Sequence, residues 1–348
     1  MSALAQALTE QAGHCAALGS PFMERLCLLL ARRLRPGTPL TDRLFDWTGD
    51  IGPKGQSVPL RLCGGFHALR LLDRAGLADV YPPHETSDDA LWSAIENAMH
   101  REAVFLDDWL NNAPQTNEVR RSSVLIALGQ SLHARFGLPI VTSELGASGG
   151  LNLRWDRYAL AIETKTYGPE NAALTLRPDW SGALPPEGAP QLAQRRGVDI
   201  GPLDPSDPED RLRLLAYLWP DQPHRIELTK AAISEKQDVV DQGDAIDWLA
   251  ERLDPKAGHL HLIYSTVAWQ YFSATSQARG VALIEAAGDK ASDDAPVAWF
   301  GMENDGGTRG AALTLRLWPG NTRLDLGRAD FHGRWVEWTG ALERLGKD

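Results

Sequence analysis

The chain has 348 residues, with 46 acidic against 35 basic side chains and a net charge of −11. That balance argues against a general nucleic-acid binder, which carries a basic face. The three cysteines, Cys15, Cys27 and Cys63, show no metal-type pairing, exclude a disulfide scaffold and fit a reducing compartment. A hydrophobic content of 43% is that of a globular protein with a sizeable core. No apolar run approaches the ~18 residues of a membrane span. The N-terminus lacks the basic region of a signal peptide. The expectation is a soluble cytoplasmic protein with no membrane partner.

Residues 1–36 read as two helices, the second restarted by Ser20-Pro21 with serine at the N-cap and proline at the first helical position. Pro59 to Ala75 is helical, with Leu62, Phe66 and Leu69 on its apolar side and Gly76 as a stop. Ser87 caps a longer helix through Leu91, Ile95, Phe105 and Trp109. No strand pattern precedes residue 138. Residues 1–112 are therefore expected to form a helical cap or lid domain, and 113–348 a second domain. Gln115-Thr116-Asn117-Glu118 then precedes a helix running through Leu125 and Leu132 to Gly137. Thr116 or Asn117 serves as its N-cap on sequence physics alone, although four polar groups in a row also suit a pocket.

From 138 onward short strands alternate with helices, as in a mainly parallel sheet. Strands are expected at 138–143, 174–177, 196–198, 238–240, 259–264 and 297–302. Residues 156–201 are rich in Pro, Gly and polar side chains and read as an irregular insertion. There Asp156 and Arg157 are expected to pair locally, with Tyr158 packed beside them. A β-hairpin follows at 311–326 about Pro319-Gly320-Asn321, and 335–338 reads as a last strand or a helix.

The most informative stretch is Pro139 to Asn152. A β-branched run reaches Glu144 and breaks into Gly146, Ala147, Ser148, Gly149 and Gly150, as a buried strand turning sharply would. It fits the dinucleotide pattern G-x-G-x-x-G poorly, since Ser148 and Leu151 stand at the second and third glycine positions. No Gly-Lys-Ser/Thr comes after it, so it is no P-loop. Gly146-Ala-Ser148-Gly-Gly150 satisfies G-x-S-x-G, the nucleophile elbow of α/β hydrolases, with Ser148 as nucleophile and His332 as a later partner. Strands that should precede such an elbow are missing from the pattern.

Glu144, Gly146, Ser148 and Gly150, at every second residue, also resemble motif I of class I S-adenosylmethionine-dependent methyltransferases, with Ser148 in place of the usual middle glycine. Later segments resemble that fold in order. Gly197-Val-Asp199 resembles the second strand end, Asp244-Ala245 the third, His261 to Ser265 the fourth strand and Val297 to Glu303 the fifth. The chain at nearly full length also resembles the bacterial family catalogued as "domain of unknown function 2332". That resemblance is carried by Gln115-Thr-Asn-Glu118 with Arg121, Glu144 to Asn152 with Asp156-Arg-Tyr158, Pro202-Leu-Asp204, Trp219-Pro-Asp-Gln222 with Arg225, Trp269-Gln-Tyr271, and His332-Gly-Arg-Trp335.

These resemblances imply an α/β fold: a Rossmann-like, methyltransferase-type sheet, mainly parallel with a C-terminal antiparallel hairpin, behind an N-terminal helical domain. They imply S-adenosylmethionine as cofactor, held by Glu144, Gly146, Ser148, Gly150, Asn152, Asp199, Asp244, Ala245 and Ser265. Gln115, Asn117, Glu118 and Arg121 would face a small-molecule or protein acceptor. Trp269, Tyr271 and Glu303 are the catalytic candidates, against plainer roles of packing for the two aromatics and helix capping for Glu303. No metal site is expected, as His259 and His261 have no third ligand at metal spacing. A serine hydrolase and a non-catalytic binding descendant of the fold are the alternatives.

Overall fold

The computed structural model describes residues 2–53, 55–235, 238–307 and 309–345. Six helices come first: α1 (Ala3–Ala17), α2 (Pro21–Arg33), α3 (Pro39–Phe45), α4 (Val58–Leu71), α5 (Asp88–Arg101) and α6 (Ala103–Trp109). Then α7 (Ser122–Phe136) leads into β1 (Ile140–Leu145). After it come β2 (Ala159–Ile162), β3 (Lys165–Tyr167), β4 (Thr175–Leu176), β5 (Asp179–Gly182) and β6 (Leu192–Asp199). Helices α8 (Pro208–Ala216) and α9 (Pro223–Ser234) precede β7 (Val240–Gln242), α10 (Ala245–Ala250), β8 (Leu260–Thr266), α11 (Ala274–Asp289) and β9 (Val297–Glu303). The chain ends through β10 (Ala311–Trp318), β11 (Thr322–Ala329), β12 (Trp335–Trp338) and α12 (Ala341–Arg344).

Two compact units result. One comprises residues 1–116 with 206–227, the other 117–205 with 228–348. The segment 206–227, which the sequence pattern leaves in the second domain, packs with the helices. Ser20 shows how it is held. Its side chain caps α2 by accepting from the Met23 amide, and it donates to Asp221 Oδ1 at 2.6 Å, while the Phe22 amide donates to Asp221 Oδ2 at 2.9 Å. Nearby, Ala216 offers its carbonyl to the buried His67 ring at 3.0 Å. Burial holds that imidazole down at about 4, so it is neutral. The predicted helix over 87–109 is interrupted at Glu102 (φ −116°, ψ 23°), which ends α5 and opens α6. Helix α4 stops at Leu71, and Gly76 instead enters a short 3₁₀ turn at Leu77–Asp79. The spacing gives no sign of α3.

The second unit is built on a nine-stranded sheet in the order β5-β12-β11-β10-β9-β8-β1-β6-β7. Strands β7, β6, β1, β8 and β9 are all parallel. Numbered among themselves they run 3-2-1-4-5, the doubly wound order. From β9 the sheet continues as an antiparallel meander through β10, β11 and β12, so the expected hairpin is present and 335–338 is a strand. Both faces are covered: α7 belongs to one core with Tyr264, Phe300 and Leu315, and α10 and α11 to another with Ile263, Val297 and Trp318. Alternation along the buried strands sends neighbouring side chains to opposite cores.

The insertion after β1 contains more order than its composition suggests. Strands β3, β2 and β4 make a small second sheet, and β5 crosses to pair in parallel with β12 at the far edge of the large one. Asp156 does not pair with Arg157. It receives a forked contact from Arg195 on β6, while Arg157 lies 4.0 Å from Glu235. Tyr158 is fully buried and donates to the Leu151 carbonyl at 2.7 Å. No helix of the described residues is long and apolar enough to cross a membrane.

Replacing Asp221 removes the acceptor of both the Ser20 hydroxyl and the Phe22 amide. Hydrogen bonds to a charged group contribute about 1.5–3 kcal/mol. Asp221→Ala is expected to lower stability by about 2 kcal/mol in chemical denaturation. A loss under about 0.5 kcal/mol, the size of an ordinary surface substitution, would show that this anchor does not hold the segment.

Candidate functional site

Strand order reverses between β1 and its neighbours β6 and β8, and ligands of open α/β sheets bind beyond the carboxyl ends of the strands at such a switch point. Glu144 lies in register with Gly197 on one side and Tyr264 on the other. The loop after β1 is left-handed at every second residue: Gly146 at φ 75°, Ser148 at 52° and Gly150 at 69°. This conformation accounts for the two-residue spacing read in the sequence. It suits glycine and strains serine, by a cost on the order of 1–3 kcal/mol.

Neighbouring elements hold the loop tightly. The amides of Gly146 and Ala147 both donate to the Val198 carbonyl at 3.0 Å, and that of Gly150 to Ala147 at 2.8 Å. The Ser148 amide donates to Asp199 Oδ2 at 2.8 Å. Asn117 Oδ1 accepts from the Leu151 amide at 2.9 Å. Of the amides from Gly146 to Leu151, that of Gly149 alone is given no acceptor by the described residues. A buried amide in that condition favours an incoming acceptor. A Cβ on Gly197 would come within 2.6 Å of Ala147, so the absent side chain is what lets β6 lie this close to the loop.

Asn117 is therefore not the N-cap of α7, which has no side-chain cap. It fixes the loop instead, while Glu118 caps the short turn Val119–Arg121 and pairs with Arg120 at 3.1 Å. Asn152, just beyond the loop, accepts from Ser122 at 2.6 Å and donates to the Glu118 carbonyl at 3.3 Å. The Arg121 guanidinium spans two carbonyls, Thr266 at 2.8 Å and Phe331 at 2.9 Å. Gln115 lies half-buried at the end of the first unit.

Glu144 is buried beneath this network, and the Tyr264 hydroxyl donates to it at 3.2 Å. Burial pushes its carboxyl up to about 8, Tyr264 and Arg121 opposing and Asp199 reinforcing the rise. Near neutrality it thus holds its proton, and the Tyr264 phenol beside it is also pushed far up by burial. Tyr264 did not stand out in the sequence, although strand alternation places it on the face of Glu144.

Asp199, half-exposed at the end of β6, accepts the Gly201 amide on Oδ1 at 3.0 Å as well as the Ser148 amide on Oδ2. Each oxygen retains a lone pair. Asp244 is the N-cap of α10, its Oδ1 accepting from Ile246 and Asp247, and Ala245 is the buried first residue of that helix.

Across the switch point β8 ends in a strained turn. Val267 has φ 58°, an outlier for a β-branched residue. The turn is pinned by Glu303, whose carboxylate accepts the amides of Ala268 and Trp269 at 3.1 Å and of Gln270 at 3.4 Å. Burial raises Glu303 above the ordinary carboxylate range against these donors and Ser265. Glu303 thus holds the first amides of this turn, much as a helix cap would. Trp269 packs edge-on against Trp299 at 5.2 Å and beside Phe272 at 5.4 Å. Tyr271 is 68% exposed and outside this cluster. Ser265, Trp269 and Glu303 meet on a cavity of about 520 Å³. Among the described residues no group of three or more His, Cys, Asp or Glu is placed to hold a metal ion.

A doubly wound α/β sheet with a tightly bound, left-handed loop at its switch point defines the class of protein. The chain belongs to the family described as an uncharacterized protein conserved in bacteria, DUF2332, whose model matches residues 5–338. No curated protein and no solved structure matches it.

The Glu144 proton has a consequence for stability. An unfolded chain loses it above about 4.5, whereas the folded protein keeps it up to about 8. The cost to folding is therefore absent at acid pH, grows through that window and levels off above it. Calorimetry across the window should show the melting temperature of Glu144→Gln gaining on the parent as pH rises, by the equivalent of a few kcal/mol at the alkaline end. A difference that does not change with pH would refute the buried, protonated state.

Proposed function

We propose that the protein is an S-adenosylmethionine-dependent methyltransferase of the bacterial cytoplasm, acting on a small-molecule or protein acceptor. One observation carries the reading: the loop over Gly146, Ser148 and Gly150 lies at the switch point of a 3-2-1-4-5 sheet with the Asp199 carboxylate of the adjoining strand against it. The residues fit the cofactor's chemistry. Asp199 has lone pairs left for two ribose hydroxyls, the Gly149 amide is an uncommitted donor among the described residues, and Asp244 Oδ2, at the end of the third parallel strand, is an acceptor of the kind an exocyclic amino group needs. The cofactor supplies a methyl group already activated on a sulfonium. The protein's part is then orientation and exclusion of water. Glu144 and Asn117 act from beneath the loop, holding its shape, and Arg121 ties the ends of the network together.

The commitments of the candidate catalytic side chains agree with a site that positions without a strong base. Glu303 is engaged by three amides, and Trp269 is packed. The positive φ of Ser148 favours a second reading, a nucleophile elbow, where the serine sits on a strained turn. Beyond Ser148, however, the chain enters the 3₁₀ turn Leu151–Arg157 and not the α-helix such an elbow requires.

Titration calorimetry with S-adenosylmethionine should show saturable binding. Asp199→Ala, checked for an unchanged fold by circular dichroism, is expected to weaken it by about tenfold or more, the scale of one charged hydrogen bond. Absence of binding to the wild type would end the cofactor reading. Ser148→Gly separates the two readings in one variant. A cofactor loop keeps or improves its affinity, because glycine adopts φ 52° without strain, whereas a hydrolase loses all labelling by a fluorophosphonate.

A further inference from the structure

The cavity of about 520 Å³ lies over the antiparallel half of the large sheet, a volume suited to a small organic ligand. Trp299, Gly301 and Glu303 alternate along β9, Thr314 and Arg316 along β10, and Arg323 and Asp325 along β11. Register places these residues on one continuous patch: Gly301 lies opposite Thr314, Thr314 opposite Asp325, and Arg316 opposite both Trp299 and Arg323. Gly301 leaves the floor open, since an added Cβ would meet only Thr314 Oγ1 at 3.4 Å and Glu303 Cγ at 3.6 Å. Trp269 and Trp299 form an aromatic wall.

The charges around it are unevenly satisfied. Arg316 pairs with Glu285 at 2.8 Å and with Asn321 at 2.7 Å. Asp305 is gripped by both terminal nitrogens of Arg328 at 2.9 Å, which holds its carboxyl well below the usual range. Glu303 serves the turn after β8, and Asp325 accepts the Gly327 amide at 2.8 Å. Arg323 is exposed, and none of the described residues gives its guanidinium a carboxylate or carbonyl. It also stands directly across the ladder from Arg316, and like charges so placed repel.

We propose that this cavity binds a small apolar anion, its flat or aromatic body against Trp269 and Trp299 and its carboxylate or sulfonate on Arg323. An anion there satisfies the guanidinium and relieves its repulsion with Arg316. Asp325, two residues along the same strand face, sets a limit by disfavouring further negative charge on that side. The site uses none of the glycine loop's contacts and stands whether or not the cofactor reading does.

The test uses 8-anilinonaphthalene-1-sulfonate and its uncharged counterpart N-phenyl-1-naphthylamine, with energy transfer from tryptophan as readout on the full chain. The sulfonate is expected to bind the wild type at a single site. Arg323→Ala, at an exposed position that does not threaten folding, should weaken it by about tenfold or more while leaving the neutral dye unchanged. Asp325→Asn should tighten the sulfonate, and Gly301→Phe, confirmed folded by its melting curve, should exclude both dyes. No binding of the sulfonate, an equal loss of both dyes in Arg323→Ala, or sulfonate affinity unaffected by that change would overturn the proposal.

Discussion

Everything at the carboxyl edge of the parallel sheet depends on one backbone constraint. The chain leaving β1 must reverse within a few small residues, left-handed at every second position, while remaining buried. Such a loop satisfies the Gly150 amide from within, through the Ala147 carbonyl, and takes its other acceptors from elsewhere: a carbonyl at Val198, a carboxylate at Asp199 and a side-chain amide at Asn117. These donors of shape lie far apart in sequence. The polar residues around them, from Glu118 and Ser122 to Asn152 and Tyr264, form one network in which each hydrogen bond fixes the geometry of the next.

The opposite half of the sheet shows the complementary economy. Where the parallel strands commit their polar groups to each other, the meander leaves a cavity walled by tryptophan and a guanidinium to which no described residue brings a counter-charge. The strained turn at Val267 lies between the two regimes, held by Glu303 from below. Glu303, a catalytic candidate from the sequence, accepts three amides of that turn, and burial pushes the carboxyl of Glu144 well up from its ordinary range.

Much of the architecture was legible in the sequence because strand composition and glycine punctuation are local signals. The strand–loop at 140–150, the strands at 260–266 and 297–303, the hairpin and the absence of described strands before residue 140 all come from periodicity and turn chemistry. Partnerships were less so. Asp156 and Arg157 are neighbours and opposite in charge, yet each pairs with a distant residue, because adjacent positions of the 3₁₀ turn Leu151–Arg157 point apart. Asn117 had the chemistry of a cap and was recruited by an amide thirty-odd places on. Short strands such as β2, β3 and β5 exist because neighbouring chain supplies a ladder, not because their own residues demand one, and a tertiary cause of that kind leaves no local mark. The grouping of 206–227 with the helices arises in the same way, from anchors like Asp221.

The excursion of β5 has its own consequence. The chain leaves the middle of the sheet after β1, crosses to its far edge and returns to β6, and the strand that β5 joins, β12, lies 155 residues further along the chain. On the ribosome β5 therefore emerges long before its partner. Its Trp180, which meets Trp338 at 6.0 Å in the finished protein, waits without that cover until β12 has been made. This edge of the sheet closes only when β12 arrives, and until then the nascent chain carries an open strand, exposed to the chaperones and neighbouring chains that compete for such surfaces.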